Sequence, residues 1–194
     1  MIIYLHGFRS APASIKARAL QQHMAAKGLA GAFWCEQLPV EPNQAIALVE
    51  AQIAHCRASR PERAPTLVGS SLGGYYATHL AEKHDLPAVL VNPAVVAPLS
   101  LEAYVGEQTN LYTGETFRFT HDYIAQLRAM DVARIARPAN YWLLVETGDE
   151  VLDYREAVAK YAGARQTVLE GGDHGFSRWT DYLDGVLDFA GLTR

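Results

Sequence analysis

Five residues, Gly69-Ser70-Ser71-Leu72-Gly73, set the tightest limit on how this chain can fold, because they join two segments of opposite character. Upstream, Ala64-Pro65-Thr66-Leu67-Val68 has the short, β-branched make-up of a buried strand. Downstream, Tyr75-Tyr76-Ala77-Thr78-His79-Leu80-Ala81-Glu82 consists of good helix formers without an internal proline. A serine between glycines two residues to either side, at a sharp strand-to-helix turn, is the setting of a nucleophile elbow. Ser71 then projects its hydroxyl from the tip of the turn, and Gly69 and Gly73 lack the Cβ atoms that would keep strand and helix apart. A Gly-x-Ser-x-Gly pentapeptide alone arises by chance roughly once per fifteen chains of this length. The reading therefore depends on partners elsewhere.

A serine hydroxyl is a poor nucleophile at neutral pH and needs a base of near-neutral pKa, itself oriented by a carboxylate, with the acid and then the histidine following the serine in the chain. Two later loops supply them. Tyr141-Trp142-Leu143-Leu144-Val145-Glu146 reads as a buried strand ending in Thr147-Gly148-Asp149-Glu150-Val151-Leu152-Asp153, which places Asp149 at the strand end as the orienting acid. Asp153 follows the same strand and competes for that role, and Asp149 is also placed to cap a helix beginning near Leu152. Gln166-Thr167-Val168-Leu169-Glu170 reads as the next strand, followed by Gly171-Gly172-Asp173-His174-Gly175-Phe176, which offers His174 as the base. Asp173 reads as a turn residue, since adjacent side chains diverge.

The anion-stabilising element is expected near the other end of the chain. Met1-Ile2-Ile3-Tyr4-Leu5 is an apolar strand, and in the His6-Gly7-Phe8-Arg9-Ser10 loop the backbone N–H of Phe8, together with that of Leu72, is expected to face a developing oxyanion. His6 reads as a brace for this loop rather than a proton carrier, and Arg9 as a solvated loop residue.

Strand and helix patterns alternate along all 194 residues, which predicts one α/β domain with a mostly parallel sheet of about six strands and helices on both faces. Helices are expected over Ser14–Lys27, Asn43–Ser59 with Pro42 at the first helical position, Leu72–Lys83, His121–Met130, Asp153–Tyr161 and Trp179–Phe189. Ala30–Cys35 is expected as the second strand and Pro87–Val91 as the fourth. The alternation breaks over residues 92–140, read as a small cap whose Tyr112, Phe117 and Phe119, with Tyr104 and Tyr123, suit an apolar acyl pocket. The competing reading is a surface excursion whose aromatics pack on the sheet edge. A net charge of −4 without a basic run gives no reason to expect nucleic acid as a partner. No apolar run approaches the roughly 20 residues of a membrane span, and the chain starts directly in a strand, so cytoplasm is the expected compartment. Cys35 and Cys56, with no metal-ligand spacing around them, read as reduced and buried. No metal or organic cofactor is expected, and composition does not set an oligomeric state.

The chain resembles the YqiA-type esterase family, small bacterial α/β-hydrolases, over nearly its full length. The resemblance rests on Ile3-Tyr4-Leu5-His6-Gly7-Phe8, Gly69-Ser70-Ser71-Leu72-Gly73-Gly74-Tyr75-Tyr76-Ala77, Val91-Asn92-Pro93-Ala94-Val95 and Asn110-Leu111-Tyr112-Thr113-Gly114. It extends to Thr147-Gly148-Asp149-Glu150-Val151-Leu152-Asp153-Tyr154-Arg155 and Glu170-Gly171-Gly172-Asp173-His174. It implies an α/β-hydrolase fold and esterase activity on small acyl esters, with acyl thioesters such as acyl-CoA as a further class, and a triad falling on Ser71, Asp149 and His174. Asp173-His174-Gly175 stands where family members often carry Asn-His-Ala, which adds a carboxylate beside the base. An acyltransferase or peptidase built on the same triad, or a catalytically silent scaffold, are the competing readings.

Overall fold

Short apolar runs buried on both faces favour a parallel sheet under two helical layers, and the chain adopts that architecture. The structure, a computed structural model, describes residues 1–193. Its main sheet contains β1 (Ile2–Leu5), β2 (Phe33–Trp34), β3 (Thr66–Ser70), β4 (Ala88–Val91), β7 (Tyr141–Glu146) and β8 (Arg165–Leu169), in the order β2-β1-β3-β4-β7-β8 and parallel throughout. Between β4 and β7 a two-stranded antiparallel hairpin, β5 (Gly106–Thr109) and β6 (Thr116–Phe119), stands apart from the sheet.

The helices are α1 (Ile15–Ala26), α2 (Pro42–Ser59), α3 (Leu72–His84), the single turn α4 (Ala97–Ser100), α5 (His121–Ala129), α6 (Tyr154–Lys160) and α7 (Leu183–Phe189). Pro42 occupies the first turn of α2, where its missing N–H has no helical partner to lose. Asp153 caps α6 by accepting from the Arg155 N–H. Trp179–Tyr182 is a 3₁₀ turn rather than the first turn of α7.

Alternate side chains of each strand divide the core. Ile2, Tyr4, Val68, Val91, Trp142 and Leu144 pack against Leu20 and Met24 of α1 and Val186 and Leu187 of α7. Ile3, Leu5, Leu67, Leu90, Leu143 and Val145 pack on the other face against α2, α3 and α5 through Ile53, Leu80, Ile124 and Leu127.

Two expectations are corrected. Ala30–Ala32 is a 3₁₀ turn, so the second strand shrinks to Phe33–Trp34, paired only with β1. The small residues Ala30-Gly31-Ala32 supply little side chain to cover a sheet edge, and the turn closes onto the end of α1 instead. The β5–β6 hairpin was not expected. Gly106-Glu107-Gln108-Thr109 carries almost no apolar signal, and the pairing rests on Phe117 and Phe119, which share one face of β6. Among the described residues no helix is long and apolar enough to cross a membrane.

Candidate active site

The carboxyl ends of β1, β3, β4, β7 and β8 meet at one pole of the sheet. The order β2-β1-β3 reverses direction at β1, and the crevice beyond such a switch point is where open α/β sheets bind ligands. The loops after β1 and β3 flank it.

Ser71 sits between β3 and α3 with φ 55° and ψ −123°, a backbone geometry few non-glycine residues adopt. The turn is that tight because strand and helix cross in contact. A Cβ on Gly69 would collide with the Gly73 carbonyl, and one on Gly73 with the Leu5 carbonyl. Ser71 Oγ lies 3.1 Å from His174 Nε2, and His174 Nδ1 lies 2.8 Å from Asp149 Oδ2 and 3.0 Å from Oδ1. The Asp149 side chain is 2% exposed and its Oδ1 also accepts from the N–H groups of Val151 and Leu152, each at 2.9 Å. Asp149 thus both braces its own turn and holds the imidazole. Asp153 is turned away onto Arg155 at 2.7 Å. This arrangement can pass a proton from Ser71 to His174 and keep Nδ1 protonated while it does so.

The loop after β1 runs against the elbow. A Cβ on Gly7 would stand 3.2 Å from the Ser71 Cβ. The N–H of Leu72, at the first turn of α3, and the N–H of Phe8 have no acceptor among the described residues, which leaves both free for an oxyanion beside Ser71. His6 is 4% exposed. The Leu38 N–H donates to its Nε2 at 3.0 Å, so Nδ1 carries the proton and donates to the Gly7 carbonyl at 3.0 Å. Burial holds its pKa below the ordinary 6.5, partly opposed by the Gly7 bond, and His6 is a neutral brace.

Several residues that the sequence did not single out hold the histidine loop. Glu146, the last residue of β7, is fully buried. Its carboxylate accepts from the N–H groups of Asp173 (2.9 Å), Ser177 (3.0 Å) and Arg178 (3.3 Å) and from Arg178 Nε (2.9 Å). Burial alone would raise its pKa, but the Arg178 guanidinium and these amides outweigh it and hold the carboxyl below the usual range. Asn92, at the end of β4, donates to the carbonyls of Asp173 (3.0 Å) and His174 (3.2 Å) and accepts from the Glu146 N–H (3.0 Å). Glu150 accepts from the His174 N–H at 3.0 Å. Two bonds reach across from α1: Lys16 Nζ to the Gly175 carbonyl (2.8 Å) and Trp179 Nε1 to the Lys16 carbonyl (2.9 Å). Asn92 and Glu146 are polar residues ending apolar strands, and that position was the available signal.

A cavity of about 440 Å³ opens beside Ser71 and His174, within the usual range for a small-molecule site. Its wall includes Arg9, Ile15, Lys16, Leu111, Tyr112 and Phe176. The tip of the hairpin is placed by Asn110, which donates to the Ser10 carbonyl at 2.8 Å and accepts from the N–H groups of Tyr112 and Thr113. Of the three aromatics expected in the pocket, Tyr112 lines it. Phe119 is 1% exposed and packs edge-on against Phe8, ring centres 5.0 Å apart, and Phe117 meets Phe8 at 5.9 Å and faces an adjoining depression that shares the His6–Ser10 loop with the cavity and reaches Leu72. Both lie on the β6 face that covers Phe8, which buries Phe119 and sets Phe117 along the adjoining depression. Arg9 is likewise not free in solvent: its Nε donates to the Thr109 carbonyl at 3.0 Å. Besides Ser71, the non-glycine residues with positive φ are Arg9 (56°), Asn92 (40°), Phe176 (56°) and, at the end of α3, Asp85 (53°).

The comparisons agree with this architecture. A family model described as an uncharacterised protein family (UPF0227) matches residues 1–191. Among solved structures, a protein of Agrobacterium vitis S4 is similar with a TM-score of 0.70 and 21% identity, over 97% of this chain and 87% of that one. Mouse alpha/beta hydrolase domain-containing protein 10 gives a TM-score of 0.68 and 20% identity, over 96% and 89%. A monoacylglycerol lipase of Paleococcus ferrophilus gives 0.66 and 15%, over 99% and 94%. At these identities the likeness establishes the α/β-hydrolase fold.

Proposed function

The chain belongs to the UPF0227 family, the YqiA-type family that its motifs resemble, and within that frame we propose that it is a serine hydrolase of carboxylic esters, acting through Ser71, His174 and Asp149. The observation that carries the reading is the continuous line from Ser71 Oγ through the imidazole to Asp149, at 3.1 and 2.8 Å, starting from a serine held at φ 55°.

In this mechanism Ser71 Oγ attacks the ester carbonyl carbon while its proton passes to His174 Nε2. Asp149 stabilises the imidazolium and fixes its tautomer. The Phe8 and Leu72 N–H groups donate to the carbonyl oxygen as it becomes an oxyanion. Collapse breaks the bond to the leaving group, which takes the proton from His174 and departs as an alcohol or, from a thioester, as a thiol. Water then enters, gives a proton to His174, and attacks the acyl-enzyme. The second collapse returns the proton to Ser71 and frees the acid. Every step uses side chains and amides of this chain.

The test is hydrolysis of p-nitrophenyl esters and acyl-CoAs of graded chain length by the native protein and Ser71→Ala. The variant should lose activity by a factor on the order of 10⁴–10⁶ and keep its circular dichroism spectrum. Equal turnover by the two proteins would remove the proposal.

A further inference from the structure

The cavity beside Ser71 has a charge pattern that ester hydrolysis does not require. Two of its wall residues, Arg9 and Lys16, are cations without a counter-ion: among the described residues neither has a carboxylate oxygen within 4.0 Å. Each is fixed by a bond to a backbone carbonyl, Arg9 Nε to Thr109 and Lys16 Nζ to Gly175, which leaves further N–H donors on both groups unused. These carbonyls belong to the end of β5 and to the histidine loop, so each cation of the wall is tied to a different segment. The carboxylate on the same wall, Asp173, folds back over its own loop, where a Cβ on Gly175 would stand 2.8 Å from its Oδ1. Three exposed apolar side chains share the wall with them: Ile15 is 78% exposed, Leu111 69% and Tyr112 45%.

From this wall we infer that the substrate is an anionic acyl ester or thioester, carrying a carboxylate or phosphate that Arg9 and Lys16 hold while its apolar part lies along Ile15, Leu111 and Tyr112. The inference rests on the esterase reading and adds to it the charge of the substrate. Partial burial lowers the Lys16 ammonium to about 8, against the opposing fields of Asp173, Asp149 and Glu146, as fits a cation short of solvent and of a close partner. An entering anion supplies that partner, and charge-assisted bonds in a semi-enclosed cavity are stronger than their exposed equivalents. The anion can sit on the acid side of the scissile bond or on its leaving group, and two substrate pairs separate these sources.

One pair is p-nitrophenyl valerate against the mono-p-nitrophenyl ester of glutaric acid, which differ by a carboxylate at the far end of the acyl chain. The other is S-butyryl-N-acetylcysteamine against butyryl-CoA, in which phosphates are added on the thiol side. The native protein should prefer the anionic member of one pair by about ten- to a hundredfold in kcat/KM, chiefly through KM. Lys16→Met and Arg9→Gln should each bring that ratio most of the way to one, and Lys16→Arg should keep most of it. The ratio matters because Lys16 also braces the histidine loop. If bracing were its only role, both members of a pair would slow equally with the ratio unchanged, which would overturn the inference. Turnover of the neutral esters with no anionic preference in either pair would overturn it too, and leave the esterase reading intact. No turnover of any of the four, with Ser71 unlabelled by a fluorophosphonate, would remove both.

Discussion

Glu146 is the residue whose loss should separate the site from the sheet that carries it. In Glu146→Ala the N–H groups of Asp173, Ser177 and Arg178 lose their acceptor and the Arg178 guanidinium loses its carboxylate, while the strands beneath are unchanged. Three amide bonds at about 1 kcal/mol each give roughly 3 kcal/mol. The Arg178 side chain is 36% exposed and is solvated once its partner is gone, so the lost ion pair adds only about 1 kcal/mol, for about 4 kcal/mol in all. With a urea m-value of about 2 kcal/mol/M, the unfolding midpoint should fall by about 2 M. Trp142 (1% exposed) and Trp179 (3%) make fluorescence a suitable probe, because both are buried in the core and Trp179 directly follows the Ser177–Arg178 segment that Glu146 holds. Glu146→Gln keeps the shape but turns an N–H₂ toward donors, and about half the loss is expected. The folded carboxyl titrates below its ordinary value near 4.5, so its contribution is complete above that pH and disappears as pH falls through the folded value. The gap between native protein and Glu146→Gln should therefore be full above the ordinary carboxyl value and narrow as pH falls through the lowered folded value. A Glu146→Ala midpoint within about 0.5 M of native would refute the reasoning, since it would mean the loop keeps its place without the carboxylate.

Asp149→Asn should lower kcat on a p-nitrophenyl ester by about 10⁴-fold with KM nearly unchanged, through loss of the productive imidazole tautomer; steady-state kinetics check this. Gly73→Ala should fail to give soluble protein or lower Tm by more than 10 °C, whereas Gly28→Ala, with φ 73° but open space around it, should cost only about 1 kcal/mol; thermal melts compare the two. His6 has a folded pKa below 6.5, so it favours the folded state fully above that pH and progressively less as pH falls below it. His79 is lowered in the same direction, and the readout is therefore the smaller slope of stability against pH in His6→Gln between pH 7 and pH 5. Burial pushes the Cys35 thiol up to about 12, so the native protein should react with a thiol reagent far more slowly than the unfolded chain.

The parts of this molecule that were legible in its sequence are those dictated by a short-range rule. Strand β3, the turn at Ser71 and helix α3 are contiguous, and the glycines at 69 and 73 record a collision that any such crossing produces. Chain order then put Asp149 and His174 in the loops after β7 and β8, which the structure brings within hydrogen-bond reach of each other and of Ser71. The hairpin was not legible, because β5 is held by its partner and by a loop about 100 residues away, through Arg9 to Thr109 and Asn110 to Ser10, and such contacts leave no local period. Phe119 was misplaced for a related reason. Aromatic content says that a segment covers something apolar, and what it covers here is Phe8. The support given by Glu146 and Asn92 was concealed because a polar residue ending a strand reads as the edge of the core.

Among the described residues, four of the five non-glycine residues with positive φ, namely Arg9, Ser71, Asn92 and Phe176, lie at the carboxyl pole of the sheet. Left-handed backbone costs an ordinary residue roughly 1–2 kcal/mol, and asparagine less. The protein thus forgoes several kcal/mol at one pole for the sake of geometry, and at the other only the cost of Asp85. Selection for heat resistance should accordingly enrich substitutions at the amino ends of the strands and on the outer helix surfaces, where gains are free of conflict. Glycine at Arg9 would relax the backbone and remove a cavity cation at once. Along the strand axis, durability and chemistry are separate properties that selection can adjust one at a time.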